Sequence, residues 1–75
     1  MRKPLYLIMM QLIFTMHVKE RMIEHAITKE HIIEAIKRGS KYKQTDGLLA
    51  SFGYLEVAYK IRGDKFIIKT IKIKK

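Results

Sequence analysis

The chain has 75 residues, 48% of them hydrophobic, with no cysteine and a formal net charge of +9. That length supports a single domain, residues 1–75, burying only about 60% or slightly more of its unfolded surface, which excludes a deep substrate cavity. The lack of cysteine excludes disulfides and thiolate zinc sites as props for the small core, and leans toward a cytoplasmic protein, because small secreted domains more often carry disulfides.

The first apolar run lies in "MRKPLYLIMMQLIFT". Its basic start resembles a signal peptide, but Gln11 interrupts it, no small-residue cleavage pattern follows, and it is too short to span a bilayer. Leu5 to Phe14 therefore reads as a buried strand, with a homodimer interface as the alternative use of its hydrophobicity. Thr15 is placed to cap a helix. In that helix Val18, Met22 and Ala26 form an apolar stripe with Ile23 beside it, and His17, Arg21 and His25 line up at intervals of four on the neighbouring face. Thr28 can cap a second helix whose Ile32, Ile33, Ala35 and Ile36 point inward and whose Lys37 and Arg38 suit the negative helix end. Gly39 stops it, read as a left-handed terminator.

From Ser40 onward, "TDG", "FG" and "RGDK" are turn signals between short β-type runs. Leu48 to Phe52 is one strand. In "YLEVAYKIR", Leu55, Val57, Tyr59 and Ile61 alternate with polar or small residues, the period of a half-buried strand. "KFIIKTIKIKK" is the last strand, with Ile67, Ile71 and Ile73 assigned to one face and Phe66, Ile68, Thr70, Lys72 and Lys74 to the other. The Arg62–Lys65 turn makes these two a hairpin. The expected architecture is α+β, order β-α-α-β-β-β, with two N-terminal helices packed on one face of a small antiparallel sheet. The other face is left to solvent and displays Tyr54, Lys60, Arg62, Thr70, Lys72 and Lys74.

Charge is distributed unevenly along this plan. Residues 1–36 carry a net charge of +1 and residues 37–75 a net charge of +8. A positive field of that kind attracts polyanions, either RNA or an acidic protein partner. A solubility charge on a lysine- and isoleucine-rich chain is the plain alternative. No segment joins a basic face to a broad apolar one, so a membrane surface is not expected.

The segment "FTMHVKERMIEHAITKEHIIEAIKRG" resembles the family catalogued as domain of unknown function 4258, whose helix follows roughly T-x-H-x-x-x-R-x-x-x-R-G-I-[ST]. Thr15, His17, Arg21, Ile27 and Thr28 match it, and "LLASFGYLEVAYKIRGDKFIIKTIK" follows the later strand scheme, so the resemblance covers about residues 13–72. Here His25 stands at the pattern's second arginine and Ala26 at its glycine, and Glu56 stands where members often carry a histidine. That family's layout is similar to the RelE/ParE-like toxins. The resemblance implies a basic domain that binds RNA, cleavage without metal, and an acidic antitoxin-like protein as partner.

His17 and Arg21 are the candidate catalytic residues, because metal-independent RNA cleavage needs proton transfer, which His supplies near neutral pH, and positive charge, which Arg supplies. Their ordinary reading is that His17 bonds the backbone or Thr15, and that Arg21 pairs with Glu20 or Glu24. For phosphate contacts and stacking the candidates are Lys41, Lys43, Tyr54, Lys60, Arg62, Thr70, Lys72 and Lys74. No metal site is expected: His17, Glu20, Glu24, His25 and His31 are scattered, no H-E-x-x-H motif occurs, and Arg21 repels cations. No cofactor motif occurs either. Two readings remain: a toxin-like RNA-binding domain that acts as an endoribonuclease through His17 and Arg21, or a non-catalytic module of the same fold that docks nucleic acid or an acidic protein on its basic sheet face.

Overall fold

The computed structural model describes residues 11–74. Two helices cover one face of a five-stranded sheet, an α+β architecture in the expected element order with one further strand. The elements are β1 (Gln11–Phe14), α1 (Met16–Glu24), α2 (Lys29–Arg38), β2 (Ser40–Gln44), β3 (Gly47–Phe52), β4 (Leu55–Arg62) and β5 (Lys65–Ile73). Strand order is β1-β5-β4-β3-β2, so β2 to β5 form an antiparallel meander and β1 adds to the far edge in parallel with β5. The sheet is thus mixed. The additional strand is β2, "SKYKQ", whose five residues are all exposed. It has no apolar alternation to announce it, and its lysines suit an edge that must not recruit other strands. Of the predicted first strand only Gln11–Phe14 falls within the described residues.

Both helices begin as their sequences dictate. The Thr15 hydroxyl accepts from the Val18 amide at 3.2 Å. The Thr28 hydroxyl accepts from the His31 amide at 3.3 Å while the Thr28 amide donates to His31 Nδ1 at 3.0 Å, a reciprocal cap in which histidine does the work usual for Glu or Gln. The end of α1 differs from expectation. Ile27 N–H donates to Met22 O at 2.8 Å and Ala26 N–H to Ile23 O at 3.3 Å, the paired bonds of a Schellman ending. Ala26 consequently has φ +54, a left-handed conformation costing a non-glycine residue roughly 1–2 kcal/mol. It leaves the apolar stripe, and Ile23 is 82% exposed, so among the described residues the apolar side chains of α1 that meet the core are Val18 and Met22, with Ile27 buried just beyond.

Gly39 ends α2 for a different reason from the one its sequence suggests. Its φ is −75°, an ordinary value. A Cβ there would meet Ala35 O at 2.5 Å and Ser51 O at 2.6 Å, so glycine is needed because the helix end lies directly on the backbone of β3. Gly53 and Gly63, each at φ +61, open the two-residue loops joining β3 to β4 and β4 to β5, the position that a II′ hairpin reserves for glycine.

The core lies between the helices and one sheet face. Ile32, Ile68, Ile71, Val18 and Val57 are its largest fully buried side chains, each contributing about 1.5–3 kcal/mol by leaving water. The face assignment of β5 is corrected by a bulge opposite Ala58/Tyr59: Thr70 pairs with Ala58 and Ile68 with Tyr59, leaving Lys69 as the additional residue. Ile68 and Phe66 therefore point into the core with Ile71 and Ile73, and Ile67 turns to the open face. Tyr59, 2% exposed, stacks on Phe66 with ring centroids 5.9 Å apart.

Two predictions follow from this packing. Gly39→Ala should lower unfolding free energy by about 1–3 kcal/mol in urea titration, as overpacking does. Burial pushes the Tyr59 phenol above its ordinary value near 10, because the charged form is disfavoured in the core. The unfolded chain then releases that proton first, so stability falls as pH rises through 10. Tyr59→Phe, which has no such proton, should lose less stability than wild type between pH 8 and pH 11 in parallel urea titrations. Equal losses would mean that Tyr59 ionises alike in both states.

Candidate nucleic-acid interface

The solvent face of the sheet is set by strand register. Side chains opposite to the core-facing rows belong to it, which places Tyr42, Leu49, Glu56, Ala58, Lys60, Arg62, Thr70 and Lys72 together across β2 to β5. The predicted group Lys60, Arg62, Thr70, Lys72 and Lys74 is thus brought together on one face. Lys74 continues it and donates from Nζ to Ser51 Oγ at 3.0 Å.

At one end, Lys43, Lys60 and Arg62 border an open hollow of about 540 Å³ with Asp46 at its rim. Asp46 organises the cations here. Its carboxylate lies 3.6 Å from both Lys60 Nζ and Lys69 Nζ, and Lys69 Nζ also donates to the Asp46 carbonyl at 2.6 Å. These pairs are exposed enough to add little stability. Their effect is positional: the bulged Lys69 is tied to the β2–β3 turn, and Lys60 is held beside Arg62. Toward the centre the face becomes a shallow hollow of about 160 Å³ over Leu49, Ala58 and Thr70, edged by Gln44, Glu56 and Lys72.

Three predicted contacts lie off this face. Lys43 pairs in register with core-facing Leu48, so its side chain leaves β2 on the helix side although it borders the end hollow. Lys41 pairs in register with core-facing Ala50, hence on the helix side of β2, and its Nζ donates to Gly39 O at 2.7 Å. Tyr54 sits in the β3–β4 turn, 68% exposed, and lines a separate cleft of about 230 Å³ with Ile27, His31 and Glu34. The aromatic group that does occupy the open face is Tyr42, 55% exposed on β2. Recognising β2 as a strand is what finds it, since "SKYKQ" puts Tyr42 and the lysines on opposite sides.

His17 and Arg21 belong to the helix layer, so the sheet separates them from Lys60, Arg62 and Lys72. Arg21 does not pair with Glu20 or Glu24, nor His17 with Thr15: Arg21 Nε donates to His17 Nε2 at 3.2 Å. The imidazole Nε2, one of the two nitrogens a general base could use, thus faces the guanidinium. Among the described residues no three His, Asp or Glu side chains are gathered to hold a metal, and no helix is long and apolar enough to cross a membrane.

No family model, no curated protein and no solved structure matches this chain.

The exposed His17–Arg21 pair is an interaction of surface strength. His17→Ala and Arg21→Ala should each change unfolding free energy by no more than about 0.5 kcal/mol. A loss above about 1.5 kcal/mol in urea titration would show that the pair has a packing role instead.

Proposed function

We propose that this domain binds single-stranded RNA on its open sheet face, in the manner of a toxin-like α+β module that grips nucleic acid without cleaving it. The observation that carries this reading is the convergence of Lys60, Arg62, Lys72 and Lys74 on one solvent-facing surface with an exposed aromatic, Tyr42, at its edge. Lysine and arginine neutralise phosphates and release counterions, while a tyrosine face accepts a stacked base. The net charge of +9 supplies the long-range attraction.

Tyr42 favours RNA over an acidic protein, because stacking gives it a use that carboxylate partners do not. The resemblance to the domain of unknown function 4258 family supports the same direction. Its pattern has glycine at position 26, where the backbone here is left-handed and glycine would be unstrained. The binding reading is preferred to catalysis because His17 and Arg21 stand across the sheet from the cations, with His17 Nε2 engaged by the Arg21 guanidinium.

Fluorescence anisotropy with a labelled single-stranded RNA across a salt series tests the reading. Wild type should bind with a steep negative dependence of log K on log salt. Arg62→Ala and Lys72→Ala should each reduce that slope by about 0.7, the value for one lost phosphate contact on a single strand. Affinity independent of salt, or unchanged slopes in both variants, would exclude this face. Incubating RNA with the protein in EDTA should leave it intact; cleavage that disappears in His17→Ala would replace binding by catalysis.

A further inference from the structure

Apart from Asp46, which is paired with lysines at its end, the open face carries a carboxylate near its centre. Glu56 lies in register between Ser51 on β3 and Lys72 on β5, half-buried at the margin of the central hollow. Among the described residues no hydrogen bond or ion pair engages it, although Lys72 is its direct cross-strand neighbour. A carboxylate at this place repels phosphate, so an RNA backbone cannot run over it. A base edge carrying donors can.

We propose that Glu56 reads guanine in single-stranded RNA, an inference that rests on the open face being the RNA-binding surface. An ionised carboxylate only accepts, through two oxygens side by side. Guanine alone among the four bases presents two adjacent donors, N1–H and N2–H, on its Watson–Crick edge, and its neighbouring O6 is an acceptor. Lys72, beside Glu56 in register, supplies the donor for that oxygen. Uracil, cytosine and adenine each turn at least one lone pair toward the carboxylate where guanine turns a proton. Bidentate, charge-assisted pairs of this type are strong and directional. Ala58 and Leu49 give the hollow an apolar floor against which a planar ring can lie. Tyr42 is two strands across and two residues along, roughly 12 Å at ordinary strand spacing, within reach of an adjacent base for stacking. The phosphates then pass over Lys60 and Arg62 and over Lys74, on either side of Glu56.

The test uses labelled nine-nucleotide RNAs made of UUG, UUI and UUU repeats, where I is inosine, which keeps N1–H and O6 but lacks the N2 amino group. Anisotropy titrations at fixed low salt compare wild type with Glu56→Gln, folding of the variant being checked by circular dichroism. Wild type should bind UUG about tenfold more tightly than UUU, with UUI losing most of the difference. Glu56→Gln should bind all three alike, at least as tightly as wild type binds UUU, because a repulsive charge is gone. Equal wild-type affinities for the three RNAs, with salt-sensitive binding retained, would overturn the guanine reading and leave the binding surface standing. A guanine preference that survives in Glu56→Gln would assign it to other residues. Failure of wild type to bind any of the three would overturn the RNA-binding surface itself.

Discussion

One additional residue in β5 decides which side chains of this sheet are inside. Period-two alternation through "KFIIKTIKIKK" cannot bury both Ile68 and Ile71, which are an odd number of positions apart. The bulge that leaves Lys69 out of register with β4 resolves the conflict, and everything on either side depends on it. On the core side it aligns Ile71 and Ile73 with Ile68 and Phe66, gives Tyr59 its stacking partner, and lets Leu12 and Phe14 of β1 meet the same layer. On the solvent side it sends Lys69 toward Asp46, where it is fastened with Lys60 at the β2–β3 turn. Bulges also increase local twist, which suits a sheet that must curve over two short helices.

The two faces of the sheet therefore do separate jobs. The helix face is apolar, and no polar or charged residue is buried among those described. The open face carries the cations, and its small residues Ala58 and Thr70 keep the centre low enough to form a hollow. His17 and Arg21 satisfy each other on the helix layer and contribute nothing to that surface. Such a division lets surface charge change without disturbing the core, because charges and buried isoleucines alternate along the same strands.

Much of the architecture could be read from the chain because local chemistry and long-range packing agree. Thr15 and Thr28 are caps in sequence and in structure, Arg62–Lys65 is a turn in both, and Ile32, Ala35 and Ile36 pack as their spacing implies, while Ile33, expected inward with them, is only half-buried and outside the core cluster. What escaped was decided by contacts between distant segments. The bulge arises from competition between two buried isoleucines. Gly39 is required by the backbone of β3, not by its own dihedral angle. β2 has no apolar face because none of the described elements covers it, and without β2 as a strand Tyr42 has no assigned side. The candidate interface was legible in Lys60, Arg62, Thr70, Lys72 and Lys74, which alternation alone places together. It was illegible in Lys41, Lys43 and Tyr54, whose positions depend on the edge strand and on a turn.

The parallel pairing of β1 with β5 bears on the order in which this sheet is assembled. Strands β2 to β5 are joined by two-residue loops, so their contacts close almost as soon as the chain turns. β1 must find a partner roughly fifty residues away, and the four described residues of its ladder offer few hydrogen bonds to offset that closure entropy. Contacts so distant form late and open early. The meander and α2 are contiguous in sequence, whereas β1 and α1 join them through contacts with distant β5. The cation-rich face lies wholly on the meander, so none of its side chains depends on β1 for its place in the sheet.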